Sequence, residues 1–118
     1  MICNAAMGCV FSAAEEETKA AVKNHGDFNS HHEAIAVLKE EIEELTEAAE
    51  SLKSVELFNL HSLWTQIRAD NLHSTDEISE IGEKAYQIAF EAVQVAAVCS
   101  KWIFLFEVLA SDHDEMVD

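Results

Sequence analysis

The hydrophobic pattern is dominated by one stretch, Ala85 to Ala110, AYQIAFEAVQVAAVCSKWIFLFEVLA, apolar on almost every side and free of Gly and Pro. Its length supports about seven helical turns. A helix apolar all round must be buried all round, in a core, a subunit interface or a membrane. Gln87, Glu91, Gln94 and Lys101 interrupt it at i, i+4, i+7 and i+14 and fall within one narrow stripe. A carboxylate there is costly to bury unless it is paired or binds a metal. The longest unbroken apolar runs, Val95 to Cys99 and Trp102 to Phe106, are far short of the roughly 20 residues a bilayer span needs. Glu91 and Lys101 also sit where such a span would have its middle, so the membrane reading fails, leaving a core or a subunit interface.

Upstream, Ile2, Ala6, Cys9, Val10, Ala13 and Ala20 make an apolar stripe for a first helix over about Cys3 to Asn24, ended at His25-Gly26-Asp27. Ser30-His31-His32-Glu33 fits a capping box and opens a second helix running to about Lys53. Ile35, Leu38, Ile42, Leu45, Ala49 and Leu52 are its expected core stripe. Ser54 to Asn71 reads as a third segment, with Leu57, Leu60, Leu63, Trp64 and Ile67 on its inner side. Ser74-Thr75-Asp76-Glu77 is a second capping box, starting a long last helix with Gly82 as a possible bend. Asp112 to Asp118 is an acidic tail expected to fray. The sum is a single all-α domain over 1–118, a four-helix bundle.

Composition narrows the function classes. One chain of 118 residues, 49% hydrophobic, holds one ordinary core. No Pro and only Gly8, Gly26 and Gly82 leave it without the punctuation of a many-turned β fold. The net charge of −16 argues against nucleic acid and anionic membranes as partners and favours divalent cations. Cys3, Cys9 and Cys99 lack metal-ligand spacing and read as free thiols of a reducing cytoplasm. The opening MICNAAMGCVF has no basic n-region, so no signal peptide is expected.

The acidic run Lys39 to Glu50 separates on a helical wheel. Taking the Ile42 stripe as reference, Glu33, Glu40, Glu43, Glu47 and Glu50 fall on the far side and read as solvated. Glu41 and Glu44 share a flank with the small apolar Ala34, Val37 and Ala48, which suggests a second face packed on another helix. Glu91 adds a third carboxylate and Gln94, one turn on, a neutral oxygen. Oxygen ligands from facing helices suit a hard cation such as Mg²⁺ or Mn²⁺, and three carboxylates around one void repel without it. The competing reading pairs Glu91 with Lys101 or with a basic residue of another subunit. No Glu-x-x-His pair occurs, which counts against a ferritin-like di-iron site.

In order along the chain, Glu40-Glu41-x-x-Glu44 and Glu91-x-x-Gln94 resemble the EExxE and ExxD motifs of the MazG-like all-α nucleoside triphosphate pyrophosphatases. Phe28-Asn29-Ser30-x-His32-Glu33-Ala34 resembles the entry to their first motif helix, and the likeness spans about residues 19–104. The resemblance implies Mg²⁺-dependent cleavage between the α and β phosphates, with Glu41, Glu44, Glu91 and Gln94 at the metal and Glu40 behind them. It also implies a homodimer or homotetramer, an expectation that the all-round apolar last helix shares. Lys101, on the stripe of Gln94, would meet a phosphate or else neutralise Glu91. Phe28, Asn29, His32, Trp64 and Trp102 are base-pocket candidates, with core or capping roles as the competing reading. Two departures stand out: the family's Asp is Gln94 here, and Leu45 to Phe90 is longer than in minimal members. Loss of that charge leaves a non-catalytic oligomerisation or nucleotide-sensing module as the alternative, and a plain helical interaction protein as a third possibility.

Overall fold

A computed structural model describes residues 4–117, with side chains from 5 to 111. Three helices form, α1 (Asn4–His25), α2 (His31–Arg68) and α3 (Asp76–Val117), and no strand occurs among the described residues. The all-α expectation holds, but the four-helix count does not. The second and third expected segments are one unbroken α2. Nothing between Leu52 and Val55 stops a helix, and Leu45, Ala48, Leu52, Val55 and Asn59 continue one seam at spacings of three and four. Gly82 likewise leaves α3 continuous. Helical backbone runs through the acidic tail to Val117; the tail's side chains and Asp118 lie outside the described residues.

The ends are set locally. Gly26, at φ 74, donates its N–H to Val22 O at 2.8 Å, a left-handed cap that closes α1. Ser30 Oγ accepts the Glu33 N–H at 3.1 Å, as the capping box requires. The Glu33 carboxylate departs from the box and accepts the Asn29 amide side chain at 3.1 Å. α2 ends in a Schellman motif around Asp70, at φ 52: Asn71 N–H reaches Gln66 O at 2.8 Å and Asp70 N–H reaches Ile67 O at 3.0 Å. At the start of α3, Ser74 Oγ accepts the Asp76 N–H at 3.1 Å, whereas Glu77 turns away from the expected reciprocal bond.

The chain divides into two compact units, Met1–Ile42 with Ala92–Asp118, and Glu43–Glu91. The first joins α1, the start of α2 and the far half of α3. Its core is Phe28, Ala34 and Leu105, covered by Val37, Val98 and Trp102. Trp102 Nε1 donates to His31 Nδ1 at 2.9 Å, and Thr18 Oγ1 to Ala97 O at 3.5 Å, tying α2 and α1 to α3. The second unit is a helical hairpin. At its tip Asn59 Nδ2 donates to Glu77 O at 3.1 Å, and Ser62 and Gln66 donate to Glu77 Oε1 at 2.9 and 3.4 Å.

These contacts correct the phase of the expected stripes. On α2 the buried apolar residues are Ala34 and Ala48, on the flank shared with Val37, while Ile35 and Ile42 are exposed. Leu57, Leu60, Trp64 and Ile67 point outward, and the polar Asn59, Ser62 and Gln66 point into the hairpin. On α1, Ala6, Cys9, Val10, Ala13 and Ala20 are exposed and Ala14, Thr18 and Ala21 face inward; Ile2 lies outside the described residues. Each helix carries two apolar sides, and periodicity cannot rank them. The sequence argument against a membrane span is also too strict. An 18-residue window of α3 reaches a mean hydropathy of 1.7 with 22% of it buried, so this helix is long and apolar enough to cross a bilayer by length and composition.

Glu77 carries a pH dependence. Its own backbone N–H, then the Ser62 hydroxyl, hold its carboxyl below the ordinary value of 4.5. A depressed carboxylate stabilises the fold above that value and loses the contribution as pH falls through its folded-state pKa. Thermal melts of wild type and Glu77→Gln should therefore differ most at neutral pH and converge below 4.5. A constant gap down to acid would sink this assignment.

Candidate metal and ligand site

Within the hairpin, Glu44 of α2 and Glu91 of α3 each offer a carboxylate oxygen within 4.8 Å of the other. Glu91 is buried, at 9% exposure, whereas Glu44 is exposed. Gln87, one turn earlier on α3, donates its Nε2 to Glu91 Oε1 at 2.8 Å and fixes the carboxylate plane. Glu91 Oε2 is buried with no hydrogen-bond partner among the described residues. An ionised oxygen left so is costly, and a facing second carboxylate makes it more so. The residue types fit a hard cation: all-oxygen donors, an orphaned buried oxygen on Glu91, and no soft ligand.

The first unit encloses a cavity of 340 Å³, at the small end of ligand sites. Glu41 and Gln94 line it, with Phe28, Val37, Val98 and Lys101. Lys101 is only 7% exposed. Its ammonium lies 4.3 Å from the Phe28 ring centroid and makes no ion pair among the described residues. Lys101 thus places a largely desolvated cation on a cavity wall that Glu17, Glu33 and Glu41 also line.

Other sequence candidates are placed elsewhere. Glu40 is exposed, as its wheel position implied, and Asn29 is engaged with Glu33 at the α2 cap. His32 is exposed, and Trp64 belongs to the hairpin at 59% exposure; neither lines the cavity. Trp102 packs on the core and bonds His31. Phe28 combines a core position with the cavity wall. Glu17, Asn24 and His25 of α1 line the cavity without having been singled out as ligands. Only the packing of α1 on α3 brings them there, and no local motif marks that. Comparison with known protein families, with curated proteins and with solved structures finds no match to this chain.

Proposed function

We propose that the chain is a Mg²⁺-dependent nucleoside triphosphate pyrophosphohydrolase, cleaving between the α and β phosphates to give a nucleoside monophosphate and pyrophosphate. The observation that carries this reading is the Glu44–Glu91 pair with the orphaned buried oxygen of Glu91. The resemblance of the ordered glutamate motifs to the MazG-like enzymes supplies the reaction type. Glu44 and Glu91 would hold the cation, and the resemblance adds Glu41 and Gln94 to the ligand set. Bound there, Mg²⁺ would neutralise phosphate oxygens and lower the barrier to attack by water. Lys101 would bind a phosphate in the cavity, and Gln87 holds Glu91 in its orientation. Cys9 and Cys99 are free, in keeping with a cytoplasmic enzyme.

Gln94 favours a second reading, a nucleotide-binding module without turnover, because it removes a charge from the metal's surroundings. Pyrophosphate release from ribo- and deoxynucleoside triphosphates separates the two. Under the first reading, wild type releases pyrophosphate only with Mg²⁺, and Glu44→Gln lowers the rate at least about 100-fold, since even residues behind the ligands carry up to that. Under the second, wild type is silent and Gln94→Asp is active. Silence from wild type and both variants, with no effect of Mg²⁺ or nucleotide on melting, would sink both.

A further inference from the structure

We propose that the Trp102–His31 hydrogen bond is a pH-sensitive latch. It holds the start of α2 on α3 while the His31 imidazole is neutral and opens when that ring takes up a proton. An indole Nε1 is a donor only, so the 2.9 Å contact requires an unprotonated Nδ1 on His31, with the ring hydrogen on Nε2. A proton passed from water to Nδ1 turns the acceptor into a second donor, and two N–H groups then face each other. The positive charge so gained stands at the first residue of α2, where it opposes the helix dipole and weakens the first turn.

The surroundings give an imidazolium nothing in exchange. Its ring centroid lies 6.2 Å from that of Trp102 and 6.4 Å from that of Phe106. Both exceed the roughly 6 Å at which a cation gains from a ring face, and Trp102 presents its N–H edge instead. A groove of 510 Å³ borders the pair, to which α3 brings Cys99, Ile103 and Phe106 but no carboxylate. Glu107, one turn beyond Ile103, is exposed and outside that groove, and the Lys101 ammonium is directed to Phe28. On α2, His32 is exposed, and Glu33, two residues from His31 and so not facing it, accepts from Asn29. His25 and Asp27, ahead of α2, line other cavities, and no described residue of α1 lines this groove.

The latch bears on the 340 Å³ cavity whatever ligand that cavity takes. Glu33 and Val37 of α2 and Val98 and Lys101 of α3 are among its walls. His31 stands two positions from Glu33 and Trp102 one from Lys101. Release at low pH therefore loosens one wall from another without altering the lining itself.

Nitrogen-15 NMR of the full chain tests this, with the exposed Trp64 indole as internal reference. The titration runs from about pH 8 to about pH 5, the range in which histidine changes charge. At its upper end His31 should show an unprotonated Nδ1, and the Trp102 indole proton should resonate downfield of that of Trp64. As the pH falls, the Trp102 resonance should move to the Trp64 position. The Ala34 amide, bonded to Ser30 O at the start of α2, should exchange up to about tenfold faster relative to its intrinsic rate at each pH, the equivalent of one hydrogen bond. His31→Asn puts an amide oxygen, which does not titrate in this range, where Nδ1 stands, and should keep the bond while losing both responses. The Glu77 contribution falls away only below 4.5, so the two are read apart. The latch is overturned by an Nδ1–H tautomer at the upper end, by a Trp102 resonance that stays constant, or by the same movement in His31→Asn. It is equally overturned by an Ala34 amide whose protection ignores the titration, since the bond would then hold nothing down.

Discussion

Glu91→Gln is expected to raise the melting temperature in metal-free buffer, to abolish the stabilising response to Mg²⁺ and to remove pyrophosphate release. All three results trace to one geometry. Two carboxylates within 4.8 Å, one of them buried, repel in the absence of a cation. At an effective dielectric constant of about 20 the repulsion is about 3 kcal/mol, and exposure of Glu44 reduces it to about 1 kcal/mol. For a chain of this size that corresponds to a gain of about 4 °C. The amide keeps an oxygen for the Gln87 donor, so the orientation survives while the charge goes. Circular dichroism melts with and without Mg²⁺ measure the first two effects. A wild-type melt that ignores Mg²⁺, with Glu91→Gln no more stable than wild type, would mean that the carboxylates meet without holding a cation.

The second large effect concerns stability. Phe28→Ala should cost about 3–5 kcal/mol in denaturant unfolding, within reach of the whole stability of a small domain. Among the described residues few side chains are buried in the first unit, and none of the large ones is fully so. Phe28 fills the space between the start of α2 and α3, and its ring also carries the Lys101 ammonium. Its removal opens a cavity and strips a buried cation of its only described contact. Phe28→Leu restores the volume without the ring face and should recover part of the loss. A cost below about 1 kcal/mol for Phe28→Ala would place the centre of that unit elsewhere.

What the sequence disclosed follows the range of the interactions involved. The α2 start was legible because Ser30 caps Glu33 three residues away, and the end of α1 because Gly26 supplies a left-handed residue. The flank of Ala34, Val37 and Ala48 with Glu41 and Glu44 was legible as a second packed face, since small residues between glutamates are conspicuous. Helix count was not, because a 38-residue α2 contains nothing that separates a join from a continuation. Nor was the phase of α1 and α2: with two apolar sides, the larger residues were assigned inward, yet the smaller ones make the closer contacts. The α1 contribution to the cavity rests on Thr18 meeting Ala97 across 79 positions, which no periodicity encodes.

The polar tip of the hairpin has a consequence for specificity. A seam of aliphatic side chains alone lets one helix slide past another by a heptad at little energetic penalty, since each step exchanges similar contacts. Asn59, Ser62 and Gln66 reach their bonds with Glu77 at only one offset between α2 and α3. Every other offset leaves buried amides unpaired. The tip thus acts as an alignment key, giving up apolar burial to fix the register that sets Glu44 opposite Glu91.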